Sequence, residues 1–232
     1  MSKLWQKNNE TTATVEQFTI GKDQLMDQYL AAYDVMGSIA HTTMLSEIGL
    51  LTKAEQVQLK NALIDIYTNI QTGHFSLDAG VEDVHSQVEL LLTQKLGDIG
   101  KKIHSARSRN DQVLVDIKLF MRAEITKLTV SIQSFFTLLQ TKSEAHQADL
   151  LPGYTHLQLA MPSSFGLWFG AYAESLVDDM TMLQAAYKIV NKNPLGSAAG
   201  YGSSFPISRS VTTVLLGFEN LNYNVVYAQM GR

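Results

Sequence analysis

A dense polar stretch, SARSRNDQ at residues 105–112, contains the residue types best suited to chemistry. It follows His104 directly and opens a long helical pattern. One explanation is local: Asn110 caps the helix, Asp111 complements the helix dipole, and the two arginines face solvent. The other explanation is a receptor for carboxylates, because guanidinium groups, hydroxyls and an amide at a helix N-terminus all donate to anions. The residues alone leave both explanations open.

A second polar group occurs in EDVHSQVE at residues 82–89. On a helix, His85 and Glu89 lie on one face, and Glu82 lies one turn before His85. Metal binding is conceivable for such a set, but the chain has no cysteine and no second histidine nearby, so we predict no metal site. Acidic residues at a solvated helix start, favoured by the helix dipole, are the plainer interpretation.

The third polar group, GYTHLQLAMP at residues 153–162, falls between two long helical patterns. His156 follows Thr155 there and precedes Gln158 by two positions. A histidine in such a connection is either a satisfied structural group or a group that transfers protons or stabilises charge. The remaining histidines have no comparable setting and are interpreted as structural, His104 with the least support.

Helices must position these three groups, because apolar residues recur three or four apart over most of the chain. We predict helices over residues 22–50, from a capping box at Thr52 to a stop at Gly73, and over about 81–97. Convincing strand-like alternation is missing from the sequence. The predicted fold class is therefore all-α.

Two longer helices are predicted to follow. The first carries apolar residues from Val113 to Leu139, and the second begins with Pro162 in its first turn and extends to about Val190. Joined by a short connection, they would pack as antiparallel neighbours. Their apolar stripes exceed what two helices can cover, so we expect further helices from other subunits and hence an oligomer.

Composition narrows the function classes. The chain has 232 residues, 45% of them hydrophobic, and a formal charge of −4, which suits a large buried core and gives no reason to expect nucleic acid. Without cysteine, disulfides and thiol catalysis are excluded. The N-terminal residues are polar, and apolar runs stay short of the roughly 20 residues of a membrane helix. A cytoplasmic protein without a membrane contact is expected.

Three motifs in this order resemble the argininosuccinate lyase family of the fumarase and aspartase superfamily. They are EDVHSQVE, KIHSARSRNDQV and PGYTHLQLAMP, and the resemblance extends over essentially the whole chain. The SRNDQ block and the segment DVMGSIAH at residues 34–41 are its most specific parts. The Thr-His turn is less specific, because adenylosuccinate lyases carry similar turns.

The resemblance implies an N-terminal helical domain over residues 1–106 and the first part of a long-helix bundle, cut short, over residues 107–232. It implies a homotetramer in which segments of different subunits meet at each active site. The reaction it implies belongs to arginine biosynthesis: argininosuccinate is split into arginine and fumarate by elimination, with no cofactor. A base removes a proton next to a succinyl carboxylate, so the main task is to stabilise extra negative charge there.

The resemblance also assigns roles to individual residues. His156 matches the family's catalytic histidine, in proton transfer. The positions that match substrate-binding residues are Ser38, Ser108, Arg109, Asn110 and Thr155. Those that support the site are Asp83, His85 and Gln158.

The sequence departs from the family pattern at several positions. Residues 6–9, QKNN, replace the usual Gly-Gly-Arg-Phe, Ser105 stands where threonine is usual, and Ser208 stands where aspartate is common. The family's loop with the catalytic serine, Gly-Ser-Ser-x-Met-Pro, is missing from these 232 residues. Residues 200–206, GYGSSFP, resemble instead the family's glycine-rich inter-helix loop.

The missing loop predicts that the chain is inactive by itself. Two alternatives to argininosuccinate lyase remain: a non-catalytic helical scaffold of the same fold, as in lens crystallins, or a related superfamily lyase such as adenylosuccinate lyase. The complete SRNDQ and THLQ blocks favour the lyase, because a scaffold has no physical need for them.

Overall fold

The computed structural model of this chain describes residues 18, 23–78 and 80–231. The altered segment at residues 6–9 lies outside the described residues. The predicted all-α class is confirmed, since helices dominate and the strands are few and short. Within the described ranges, no helix is long and apolar enough to cross a membrane.

The first part of the described chain folds into helices. They are α1 (Asp23–Asp27), α2 (Ala31–Glu47), α3 (Lys53–Gln71), α4 (Val84–Leu96), α5 (Asp98–Lys101), a 3₁₀ turn (Lys102–His104) and α6 (Arg109–Ala145). The capping box at Thr52 is confirmed: the Glu55 N–H donates to Thr52 Oγ1 at 3.2 Å, and the Thr52 N–H donates to the Glu55 carboxylate at 2.9 Å.

The single helix predicted over residues 22–50 is wrong, because the chain turns between α1 and α2. The Leu30 N–H donates only three residues back, to the Asp27 carbonyl at 2.8 Å. Tyr29 is 67% exposed, so the apolar spacing before the turn has no buried face to continue. The buried face of α2 begins at Ala31.

Two hydrophobic cores hold the helices that carry the polar motifs. The larger core lies among α2, α3 and α4, and its fully buried members include Val35, Leu45, Leu59, Leu63 and Val84. The smaller core joins Val115 and Leu119 of α6 to Leu195 and Phe218 from later in the chain. The first turns of α6 are therefore packed against residues from a much later part of the chain.

The second part of the described chain mixes helices with short strands. Its elements are β1 (Leu150–Thr155), β2 (Gln158–Ser164), α7 (Phe165–Val190), β3 (Lys192–Asn193), α8 (Arg209–Leu215), β4 (Asn220–Leu221) and α9 (Val225–Met230). Strands β1 and β2 form an antiparallel hairpin, whereas β3 and β4 pair in parallel.

The β1–β2 hairpin corrects two predictions: the segment contains strands, and Pro162 lies within β2 instead of opening a helix. Pro162 is the direct partner of Pro152 in the ladder. Both strands of a two-stranded hairpin are edges, where a missing N–H is tolerated. Helix α7 begins at Phe165, and Ser164 Oγ accepts the Leu167 N–H at 3.1 Å.

The described residues group into two compact units. One consists of the chain up to Phe120 together with the residues from Asn191 onwards, and the other is Met121–Val190. The second unit contains the hairpin, most of α6 and all of α7. The predicted domain boundary between residues 106 and 107 stays a prediction.

The long helices of the second unit carry apolar side chains that the single chain leaves uncovered. Helices α6 and α7 have 37 and 26 residues. Phe135, Trp168 and Tyr172 are 51%, 46% and 49% exposed. Side chains of this size contribute most to packing energy when they are buried, so these faces are suited to a partner.

Candidate functional site

The N-termini of α4 and α6 are joined by Asp83 and Arg109. Asp83 caps α4, since its Oδ1 accepts the Ser86 N–H at 2.8 Å. Arg109, the first residue of α6, donates from Nη1 to the other oxygen of Asp83 and from Nη2 to Ser86 Oγ at 2.7 Å. Residues at the start of α4 therefore orient the Arg109 guanidinium, which has five N–H groups and uses two of them in these bonds.

The start of α6 is capped by Ser108 and Asp111, so the interpretation of Asn110 as the cap is wrong. The Asn110 N–H donates to Ser108 Oγ at 3.3 Å, and the Ser108 N–H donates to Asp111 Oδ1 at 2.9 Å. The exposed side chain of Asn110 donates from Nδ2 to Ser108 Oγ at 3.2 Å. Capping thus explains Ser108 and Asp111, but it leaves the amide oxygen and one amide hydrogen of Asn110 to a ligand.

The carboxylate of Asp111 also ties the start of α6 to the glycine-rich loop after α7. Its Oδ2 accepts the N–H groups of Gly196 and Ala198 at 2.8 and 3.0 Å. Both of these residues have positive φ, 89° and 52°, a conformation that turns nearby amides towards an anion. Burial raises the pKa of Asp111, although the backbone donors act in the opposite direction.

Arg107 is buried and reaches Ser38 on α2. Its Nη1 donates to Ser38 Oγ at 3.1 Å. The interpretation of both arginines as solvent-facing is therefore wrong for Arg107, which is 8% exposed. Ser38 is fully buried within this chain. Its hydroxyl oxygen accepts the hydrogen bond from Arg107, so the hydroxyl hydrogen of Ser38 can still act as a donor.

Three helices contribute to a buried acid–histidine cluster, formed by Asp34 of α2, His85 of α4 and Asp116 of α6. His85 Nδ1 lies 2.9 Å from Asp34 Oδ1 and 3.6 Å from Asp116 Oδ2. Gln112 Nε2 donates to the same Asp34 oxygen at 2.5 Å. Both aspartates are 0% exposed and His85 is 8% exposed, so the interpretation of residues 82–89 as a solvated face is wrong for His85.

In this acid–histidine cluster, both burial and the neighbouring charges shift the pKa of each ionisable group. Burial disfavours the imidazolium of His85, but the attraction of Asp34, the hydrogen bond to it, and the attraction of Asp116 raise the His85 pKa to about 9. Burial also disfavours the Asp34 carboxylate, yet His85 and Arg107 bring its pKa below the ordinary value. Burial and then the like charge of Asp34 raise the pKa of Asp116 well above its ordinary value. At neutral pH, Asp34 and His85 therefore form an ion pair.

His104 lies in an electropositive region. Burial, followed by the charges of Arg107, Arg109 and His85, lowers its pKa to about 4. Burial, followed by Arg107, also lowers the pKa of His41, to about 3. Both histidines are neutral at physiological pH, and the cations that surround His104 favour an anionic ligand near the start of α6.

The acid–histidine cluster also has ligand atoms of the kind that bind metals. One atom each of Asp34, His85 and Asp116 lies within 4.8 Å of the others. This set differs from the Glu82, His85 and Glu89 set considered from the sequence. The prediction of no metal site stays a prediction. Charges can be balanced here without a metal, because the Asp34 carboxylate pairs with the His85 imidazolium and the raised pKa of Asp116 favours its uncharged form.

Thr155, His156 and Gln158 lie at the tip of the β1–β2 hairpin, in the second compact unit. His156 and Leu157 form its two-residue loop with φ of 50° and 63°, as both central residues of a type I′ turn have positive φ. Asn-Gly is the usual choice for such a turn, and histidine is among the non-glycine residues that adopt positive φ more often than most. Exposure at the tip argues against a buried structural histidine.

Sequence reasoning identified part of this arrangement. The first unit contains the predicted residues Ser38, Asp83, His85, Ser108, Arg109 and Asn110, and the second unit contains Thr155, His156 and Gln158. The roles of Asp34, Gln112 and Asp116 were missed. Asp34 and Gln112 stand inside the recognised motifs, whereas the only sequence signal for Asp116 is its position one helical turn after Gln112.

A comparison with protein families assigns the chain to a class. A family model described as a lyase matches residues 4–225, and the chain therefore belongs to this lyase family.

Individual relatives narrow the resemblance to argininosuccinate lyase. The chain is 64% identical over 230 residues to "Argininosuccinate lyase" of Bacteroides fragilis, covering 99% of this chain and 52% of that protein. It is 63% identical, with the same coverage, to that of Bacteroides thetaiotaomicron. The solved structure "Crystal structure of EDDS lyase in complex with formate" matches with a TM-score of 0.80 and 25% identity over 97% of this chain and 44% of that one.

The predicted resemblance to the N-terminal portion of argininosuccinate lyase is thereby confirmed. The chain spans about half the length of the curated relatives it matches.

Proposed function

We propose that this chain is the N-terminal portion of a cytoplasmic argininosuccinate lyase, a carbon–nitrogen lyase of arginine biosynthesis. It would split argininosuccinate into arginine and fumarate by elimination, without a cofactor. The observation that carries the proposal is the start of α6, where the exposed Asn110 amide and the oriented Arg109 guanidinium lie at a helix N-terminus. Such a set of donors suits a substrate with several carboxylates.

The start of α6 would stabilise the charge that develops in the reaction. Removing a proton next to a succinyl carboxylate places extra negative charge on that carboxylate. Donors fixed in advance stabilise this charge without reorganising. Asp83 fixes Arg109, and Ser108 fixes the Asn110 side chain, so both donors are held before a ligand arrives.

His156 would transfer a proton, with Thr155 contacting the substrate and Gln158 supporting the turn. Its position at an exposed tip supports this role, since the side chain is open to a ligand or to another subunit. We propose a homotetramer in which segments of different subunits meet at each site. The uncovered apolar side chains Phe135, Trp168 and Tyr172 support such an assembly.

A chimaeric protein, called the joined protein from here on, tests the proposed function. In it, residues 1–232 are followed by the remainder of the Bacteroides fragilis relative, which this chain matches at 64% identity. We expect the joined protein to form fumarate from argininosuccinate, measured by ultraviolet absorbance. Turnover of adenylosuccinate instead would indicate a different superfamily lyase. A well-folded oligomer without turnover of either substrate would favour the scaffold and contradict the proposal.

Replacing Asn110 with leucine in the joined protein should weaken transition-state binding by about 1.5–3 kcal/mol, or roughly 10- to 160-fold in kcat/KM, because a donor to the carboxylate is lost. Thermal stability should change little, because Ser108 and Asp111 make the cap and the Asn110 side chain is exposed. Steady-state kinetics and a thermal melt on the same variant check both parts.

Ser108→Ala supplies the reference for loss of the cap, and it should also lower kcat/KM because Ser108 Oγ holds the Asn110 side chain. Losing the capping hydroxyl should cost about 1 kcal/mol of stability. If Asn110→Leu shows that stability loss and normal kinetics, Asn110 is a structural residue and the carboxylate site lies elsewhere.

A further inference from the structure

The acid–histidine cluster contains more buried acceptors than its donors satisfy. Asp34 Oδ2, both oxygens of Asp116 and Gln112 Oε1 are buried and make no hydrogen bond within the described structure. The one edge of His85 that carries Nδ1 faces both aspartates. Buried acceptors without donors are costly, and apolar side chains of similar size would hold three helices together as well or better.

Stability therefore does not account for this acid–histidine cluster, whereas a fixed positive charge does. The Asp34 carboxylate receives His85 Nδ1 at 2.9 Å and Gln112 at 2.5 Å, which fixes its orientation. Asp116, on α6, places its Oδ2 3.6 Å from the same nitrogen. With Nδ1 committed inwards, the imidazole has one orientation and its proton is stabilised by two acids.

We infer that Asp34 and Asp116 are positioning residues, which hold His85 as a permanent cation whose charge acts on the carboxylate site proposed at the start of α6. His85 would then contribute a fixed charge and would not exchange a proton during turnover. The charge of His85 is one of the causes that lower the pKa of His104, together with the charges of Arg107 and Arg109. The identity of the ligand rests on the proposed function, but the charge state of His85 does not.

The charged groups around His85 determine how its protonation is expected to change with pH. Asp34 faces it from α2, Asp116 from α6, and Asp83 from the start of its own helix. The surrounding charged and titratable groups are Arg107, His104, Arg109 and Asp27. In an Asp34→Asn variant the main attraction that offsets burial is gone, so burial lowers the His85 pKa from about 9. His85 should then lose its proton as the pH rises through neutrality.

The 232-residue chain itself allows a direct test by nuclear magnetic resonance with labelled histidine. In the unmodified chain, His85 should stay protonated up to about pH 8. In Asp34→Asn it should be neutral by about pH 7, because the main attraction is gone. Asp116→Asn should give a smaller decrease, and it serves as the test if Asp34→Asn does not fold. The control Asp65→Asn, on the exposed face of α3, should leave His85 unchanged.

The joined protein tests the consequence for activity. Asp34→Asn should lower kcat/KM about 10- to 100-fold at pH 8, the effect of one lost charge-assisted interaction, and activity should recover as the pH falls to 6. Recovery in acid separates a lost charge from a packing defect, which would reduce activity equally at both pH values. A pH-independent loss would therefore overturn the inference.

Two further results would also overturn it. One is a His85 that titrates near 6.5 in the unmodified chain or does not respond to Asp34→Asn. The other is displacement of the His85 proton by added Zn²⁺ at pH 7 in the unmodified chain but not in Asp116→Asn, which would identify a metal site. Failure of the joined protein to turn over argininosuccinate would sink the proposed function, while the resonance experiment would still decide the charge of His85.

Discussion

His156→Asn in the joined protein should lower kcat by about 10²- to 10⁴-fold, the usual effect of losing a general acid or base. The fold should survive, because asparagine tolerates positive φ better than most residues and is favoured in type I′ turns. His156 occupies such a turn, with φ of 50° and an exposed side chain. Steady-state kinetics together with a thermal melt check the two expectations on one sample.

Leu157→Asn is the matched control for the histidine variant. Leu157 follows His156 in the same two-residue loop, has φ of 63°, and is 99% exposed. The same substitution there should preserve both the turn and the rate. A near-normal kcat for His156→Asn would remove this histidine from the catalytic residues. An equal loss in both variants would mean that the hairpin conformation matters and the imidazole does not.

The 232-residue chain by itself should form no measurable fumarate from argininosuccinate. The serine-bearing loop of the resembled family is missing from these residues, and catalytic residues that act as a unit lose most of the rate when one is removed. The same chain should self-associate, because Phe135, Trp168 and Tyr172 are about half exposed on long helices. Absorbance of fumarate and the mass in solution are measured on one purified sample.

Mixing supplies the control for the inactive chain. Added to the joined protein that carries His156→Asn, the 232-residue chain brings an intact His156 and should restore part of the activity if sites combine segments of different subunits. Steady turnover by the 232-residue chain alone, with its mass confirmed, would show that the acid and base have been assigned to the wrong residues.

Local sequence signals predicted the features that depend on near neighbours. The capping box at Thr52 needs only a threonine and a glutamate three residues later, and both bonds are present. The 3.6-residue apolar period predicted α3 and the two long helices, because burial of one face selects that spacing. The position of SARSRNDQ at the entrance to α6 follows from the same pattern.

The hairpin shows where local signals are insufficient. Pro152, Gly153 and Pro162 were interpreted as breakers and a helix start, since each residue has that preference by itself. Pairing β1 with β2 depends on the register across the turn, which places Pro152 opposite Pro162. No single residue of either strand carries that information.

The sequence by itself determined the helical class, the family and the motifs, because periodicity and residue order are properties of neighbours along the chain. Only the tertiary structure decided what Asp34, His85 and Asp116 do, since Asp34 and His85 meet across 51 positions from different helices. The same holds for Asp111, whose carboxylate binds the Gly196 amide 85 positions later. Burial shifts a pKa and an ion pair forms only after the helices have packed, so the chemistry of these groups follows from distances that the sequence does not contain.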